Sequence, residues 1–243
     1  AHLVSHFSQL LLAPLFPWLK DAFQASYIEL GFVMTVFFVV SCGVQAASGF
    51  LVDRFGPRPV LFAGLALLAL AAFGYALSPS YAVLVLCAVV AGVGNGVFHP
   101  VDYTLLNRKV SAPRLGHAYS VHGITGSLGW ALAPAMLVPL ALAFSWRVAL
   151  MAAGLLAFTV LAVLWFNRGT LSLPGATAAG AKPGATGTAG EAAVGGSFDF
   201  LRIPAVWMCF GFFFVYAIVI SVVQAFAPEA ARQLNGVPLA LAA

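Results

Sequence analysis

The sequence predicts an all-α fold, a polytopic membrane protein built as a bundle of crossing helices, on three observations. Only 7% of the 243 residues are charged and 62% are hydrophobic, whereas a soluble domain carries about 25% charged residues. Apolar runs of about 20 residues, the length a helix needs to cross a hydrocarbon layer of about 30 Å, recur along the chain. The alternation of polar and apolar residues that a transmembrane barrel requires in strands of about 10 is missing from the sequence.

Hydropathy and helix breakers place spans at about 1–18, 28–52, 59–78, 81–106, 116–142 and 146–167, a seventh at about 203–226, and the start of an eighth near 237. The first run ends in Pro17-Trp18-Leu19-Lys20 rather than in a small-residue cleavage site, so it reads as a span and not as a signal peptide. The chain starts at Ala1 and stops at Ala243, both inside apolar segments, which points to a piece of a longer protein. Cys42, Cys87 and Cys209 sit singly in apolar runs, without metal-ligand or redox spacing, and read as buried thiols.

The eleven Lys and Arg residues fall unevenly on the loops. Arg54, Arg58, Arg108, Lys109, Arg114, Arg168, Lys182 and Arg202 lie on one side, against Lys20, Arg147 and Arg232 on the other. The positive-inside bias puts the second, fourth and sixth loops, and the N-terminus, in the cytoplasm of a multi-pass inner (plasma) membrane protein. Residues 169–197 hold Gly, Ala and Thr with almost no large apolar side chain, and such a stretch cannot bury a core. The expected organisation is a six-helix bundle over 1–167, a flexible cytoplasmic linker over 168–202, and the start of a second bundle over 203–243. An apolar-Pro step closes both the first and the seventh span, at Pro17 and Pro228, as a weak internal echo.

The loop after the second span reads Gly49-Phe-Leu51-Val-Asp53-Arg54-Phe-Gly56-Pro-Arg58. It resembles, in sequence and in position, the signature loop of the major facilitator superfamily, Gly-x-Leu-x-Asp-Arg-x-Gly-x-Arg. The resemblance implies a major facilitator-type helical bundle in which Gly49, Asp53, Arg54, Gly56 and Arg58 latch two six-helix halves. Asp53 would then meet the positive end of a helix in the second half. By their own chemistry, Gly49 permits close helix approach, Gly56 permits a sharp turn, and the three charges cluster near headgroups. Arg114-Leu115-Gly116 and Ser145-Trp146-Arg147 are similar to steps the family has before its fifth and sixth spans. Gly123, Gly126, Gly129 and Pro134 resemble the glycine-proline pattern of its antiporters without the adjacent Gly-Pro pair, and by themselves they read as helix-packing residues.

Two segments resemble the fosmidomycin-resistance branch: Ser5-His6 in the first span, and Gly92-Val-Gly94-Asn95-Gly96-Val-Phe98-His99-Pro100 in the fourth. Where that branch often has an acidic residue directly after the proline, this chain has Val101, then Asp102. The resemblance implies efflux of a small toxic molecule, hence drug resistance.

Ionisable groups at membrane depth are costly and are candidates for function. His2, Ser5, His6 and Gln9 share one helical face at spacings of three and four, which lines either the central cavity or the wet headgroup region. His99 and Asp102 lie three apart on the fourth span. At 1.5 Å per residue, His99 is about 13 Å and Asp102 about 9 Å from the boundary marked by Arg108, and His122 about 12 Å from that marked by Arg114. Pro100 removes a backbone donor and frees the Gly96 carbonyl, while Gly92, Gly94 and Gly96 thin the helix. An imidazole beside a carboxylate can load and release protons, which makes His99 with Asp102, and His122, His6 and Gln9 around them, the expected coupling and cavity residues. The alternative for Asp102 is a pair with Arg58, with His99 bonded to a backbone carbonyl.

The expected function is a secondary active transporter, an antiporter exporting a small molecule by alternating access of two bundles, driven by protons. Its partners are the substrate, protons and the lipid bilayer. No nucleic-acid partner is expected, since the net charge of +4 serves orientation. Gly92 to Gly96 lack the Gly-Lys-Ser/Thr of a nucleotide loop, and no cofactor or catalytic residue is expected. Uptake of a metabolite is the rival on the same fold. An intramembrane metalloenzyme using His2 with His6 or His99 with His122 is a remote one, because those spacings form no recognised ligand set, and no metal is expected.

Overall fold

The computed structural model describes residues 1–173 and 202–238. Its regular elements are helices: α1 (His2–Gln9), α2 (Phe16–Phe23), α3 (Tyr27–Phe55), α4 (Pro57–Leu77), α5 (Tyr81–Asn95), α6 (Phe98–Lys109), α7 (Leu115–Ala143), α8 (Trp146–Phe166) and α9 (Pro204–Asn235). Six stretches among the described residues are long and apolar enough to cross a membrane: Tyr27–Phe55, Pro57–Leu77, Tyr81–Lys109, Ala112–Ala143, Trp146–Phe166 and Pro204–Val223.

Side chains that satisfy orphan backbone groups set the helix ends. Ser26 and Glu29 form a reciprocal capping box at the start of α3. Ser80 and Ser145 accept from the backbone N–H of Val83 and Val148, and so start α5 and α8. Gly56, between α3 and α4, has φ +81°, a backbone conformation an L side chain resists, so the expected sharp turn forms there. Arg147 donates to the carbonyls of Ala76 and Ser78, taking up open acceptors at the end of α4 and joining them to the start of α8.

The first span is not one continuous helix to residue 18. It breaks after Gln9, passes through a 3-10 turn at Ala13–Leu15 and resumes as α2, which reaches Phe23. Pro14 and Pro17 lack the N–H that would continue the ladder, and each disfavours the helical conformation of the residue before it. The fourth span likewise divides at Gly96–Val97 into α5 and α6. The helix of the seventh span, α9, in contrast runs through Pro228 to Asn235, so the expected stop near 226 is displaced. Of the linker, Arg168–Leu171 forms a 3-10 turn and residues 174–201 lie outside the described residues, as do those after 238 where the eighth span was expected.

In the bundle, α4 packs between α5 and α8, α3 packs on α5, and α1 lies along α7. Glycines set these approaches. A Cβ at Gly92 would stand 2.7 Å from the Phe37 carbonyl oxygen, one at Gly96 2.6 Å from that of Ser41, and one at Gly94 2.9 Å from Leu67 Cβ. Gly92 and Gly96 thus admit α3 on one face of α5, and Gly94 admits α4 on another. Gly126 and Gly129 admit α1 to α7, where a Cβ at Gly129 would collide with the Leu3 carbonyl. Gly49 and Gly123 differ: a Cβ at either meets nothing within 4 Å, so no described helix uses them for close approach. The thiols also depart from expectation, since Cys42 and Cys209 are exposed on the helix surface and Cys87 is half-buried against Gly74.

Gly94→Leu should destabilise the bundle by roughly 1–3 kcal/mol through overpacking, read as a lower unfolding temperature in detergent, whereas Gly49→Ala, inside α3 with open space around it, should not lower that temperature.

Candidate functional site

The polar residues converge where α1, α6 and α7 meet. His2 is the hub. Its ring stacks on that of His122 with centroids 3.5 Å apart, and lies 4.4 Å from His6 and 5.5 Å from His99. Its Nδ1 stands 3.2 Å from Asp102 Oδ2, though off the line of a hydrogen bond. His6 is 5.9 Å from His99 and 4.6 Å from Trp130, and the Trp130 indole donates to Gln9 Oε1 at 2.9 Å. His2, His6 and Asp102 are buried and His99 and His122 half-buried, with the exposed Tyr103 at the rim 5.7 Å from each of the latter two. Tyr119 completes that rim, 5.7 Å from Tyr103, and donates to Asn107.

The local sequence explains this convergence. The i,i+4 spacing of His2 and His6 puts both on the face of α1 that meets α7, and the missing side chain at Gly126 makes the room: a Cβ there would stand 3.0 Å from His2 Nε2. The division of the fourth span turns Phe98–Lys109 into a separate helix whose first turn carries His99 and whose next position, after Pro100 and Val101, is Asp102. The Gly96 carbonyl freed by Pro100 accepts from the buried Ser48 hydroxyl at 3.2 Å. Beneath the cluster, Ser5 donates to Asn95 Oδ1 and Asn95 donates to Ser41, both at 2.8 Å, a buried chain across three spans.

Asp102 therefore faces His2, which replaces the alternative pair with Arg58. His99 Nδ1, His2 Nδ1, His122 Nε2 and both ring nitrogens of His6 are buried without hydrogen-bond partners. That is an unusual density of open donors and acceptors in an apolar bundle, where each such group costs free energy. The structure gathers four of the five histidines, Asp102 and Gln9, while the loop residues lie apart. Asp53 and Arg54 are exposed at the end of α3, with the Arg54 guanidinium 5.3 Å from the Phe55 ring, and Arg58 sits in the first turn of α4.

Ser41, Ser48, Trp130 and Tyr119 were not picked out from the sequence. The seven-residue spacing of Ser41 and Ser48 on one face of an otherwise apolar helix was the available signal for the first two. The central place of His2 was likewise understated, because it depends on how α1 docks on α7.

A polytopic helical bundle that keeps a cluster of ionisable groups at membrane depth, beside two divided spans, is the architecture of a membrane transporter. The family model of the Major Facilitator Superfamily matches residues 1–243, and the chain belongs to that superfamily. It is 29% identical over 142 residues to the fosmidomycin resistance protein of Escherichia coli (strain K12), covering 55% of this chain and 33% of that protein. It is 26% identical over 172 residues to the hexuronate transporter of Bacillus subtilis (strain 168), covering 69% and 39%. The crystal structure of a D-xylose-proton symporter superposes on 99% of this chain and 61% of its own with a TM-score of 0.66 at 16% identity, a likeness of fold. The chain thus spans about a third of the length of these curated relatives.

Replacing Asn95 by Ala, which leaves the Ser5 and Ser41 hydroxyls without their shared partner, should cost about 1–2 kcal/mol of bundle stability; thermal unfolding of the purified protein checks it.

Proposed function

We propose that this chain is the first six-span bundle, with a linker over 168–202 and the start of a second bundle, of a secondary active exporter of a small toxic molecule. The observation that carries the reading is the buried cluster of His2, His6, His99, Asp102 and His122, held at membrane depth by three helices of a transporter fold. Ionisable groups in such a place carry a cost of several kcal/mol and commonly mark a path for substrate, ions or protons, which supports the reading. The drug-resistance protein among the similar sequences supports export. The hexuronate transporter supports the second reading, uptake of a small metabolite on the same bundle.

In the reading we favour, protons drive transport in an antiport cycle. His99, assisted by Asp102, exchanges the proton, and His122, His6 and Gln9 line the cavity around it. The groups that face His99 are His2 and His6 from α1, Asp102 and Tyr103 from its own helix, and His122 from α7. Alternating access comes from rocking of the two bundles, with the Gly49–Arg58 loop as the latch and Asp53 as its anchor. The basic loops put the N-terminus and the linker in the cytoplasm of a multi-pass inner membrane protein.

Expression of the full-length gene in a bacterium stripped of efflux pumps should raise tolerance to fosmidomycin or to another member of a toxin panel. His99→Ala and a proton uncoupler should each remove that tolerance, and Asp102→Asn should lower it about tenfold or more while leaving the protein in the membrane. Unchanged tolerance to every compound, with expression confirmed, would turn the assignment to uptake. Asp53→Asn should slow transport at unchanged substrate affinity, measured as flux into inverted vesicles.

A further inference from the structure

We propose that His2, His99 and His122 form a binding site for one divalent transition-metal ion of the imidazole-preferring kind, such as Zn²⁺, Ni²⁺ or Co²⁺. One ring nitrogen from each of the three lies within 4.8 Å of the others. In a tetrahedral site with metal–nitrogen bonds of about 2.0–2.1 Å, neighbouring donors stand about 3.3 Å apart, so the set has to close by up to about 1.5 Å, the stacked rings of His2 and His122 have to turn out of their parallel arrangement, and a solvent molecule takes the fourth position.

A second, independent observation points the same way. Each of these histidines keeps a buried ring nitrogen with no hydrogen-bond partner, Nδ1 in His2 and His99 and Nε2 in His122. A structural histidine in an apolar interior spends those nitrogens on hydrogen bonds, and a bound cation is a ligand that can take up several such nitrogens at once. Asp102 stands 3.2 Å from His2 Nδ1, close enough for its carboxylate to offset the charge of an ion held by the cluster.

The donor set fixes the ligand class. Imidazole suits zinc, nickel, copper and cobalt, one nearby carboxylate is too few for magnesium or calcium, and no cysteine among the described residues joins the group. The three donors come from α1, α6 and α7, so an ion would tie these helices together, and the half-buried faces of His99 and His122 beside Tyr103 provide its entry. Sequence spacing could not show such a site, because its ligands are 97 and 120 residues from His2. The inference rests on this geometry; an ion held by His99 and a proton carried on the same nitrogen exclude each other, so the metal-bound state is one in which His99 does not exchange protons.

The test uses the full-length protein purified in detergent without a polyhistidine tag. Titration with Co²⁺ should give the visible absorption of a tetrahedral nitrogen-bound ion, saturating at one per chain with a Kd of about 10 µM or lower, and Zn²⁺ should displace it. His99→Gln and His122→Gln should each weaken binding at least about tenfold, whereas His117→Gln, at an exposed histidine outside the cluster, should leave it unchanged. Where a cluster variant fails to give monodisperse protein, Gly126→Ala, which places a methyl group about 3 Å from His2 Nε2, serves instead and should weaken Co²⁺ binding likewise. A wild-type protein that binds no Co²⁺, or binding that the cluster variants leave intact, overturns the proposal. A protein that confers drug tolerance yet binds no metal loses this inference alone, and one that binds metal without conferring tolerance to any compound loses the export reading alone.

Discussion

The close contact of α5 with α3 on one side and α4 on the other is the constraint on which the rest of the bundle depends. Where lipid surrounds the helices, apolar burial contributes little to holding them together, and tight van der Waals packing has to do it. Gly92, Gly94 and Gly96 allow backbones to approach within distances that any Cβ would prevent. The same run of glycines weakens the helix it sits in, so the span divides at Gly96–Val97. Pro100 then leaves one carbonyl without a donor, and Ser48 on α3 supplies it. Close packing, the helix break and the buried hydroxyl are thus successive consequences of one local composition.

That break positions the chemistry. α6 starts afresh at Phe98, and its first residues aim His99 and Asp102 at the face of α1 that carries His2 and His6. The first span is divided too, by Pro14 and Pro17, which leaves α1 a short element packed along α7 through Gly126 and Gly129. A bundle that wanted only stability would have filled this space with leucine. Instead it holds four imidazoles and a carboxylate with several polar atoms unpaired, a deficit that a membrane protein tolerates where protons, ions or substrate pass.

Much of the plan was legible beforehand, for definite reasons. Span length follows from hydrocarbon thickness, so the spans built from α3 to α8 begin and end within a few residues of where hydropathy and breakers put them, the division inside the fourth apart. His99 and Asp102 stand out in any reading because ionisable residues are rare in such runs. Gly56 was readable because only glycine takes its positive φ without strain. Gly49 was not, since close approach needs a neighbour, and no described helix lies within reach of it. The cysteines misled for a similar reason: an apolar run in a membrane bundle has a lipid-facing side, and Cys42 and Cys209 lie exposed.

What the amino-acid sequence determined by itself is the class of the molecule, its crossing helices and the residue types that make its membrane interior polar, because these follow from local composition and from period. What only the tertiary structure decided is which of those residues meet. The ring of His2 reaches His122, His99 and Asp102 across gaps of about a hundred residues. The choice of Asp102's partner turns on the docking of α1 against α6 and α7. Helical period names the face a side chain occupies, but the facing helix is chosen by packing at glycines, Gly126 and Gly129 among them, on a helix more than a hundred residues away in the chain.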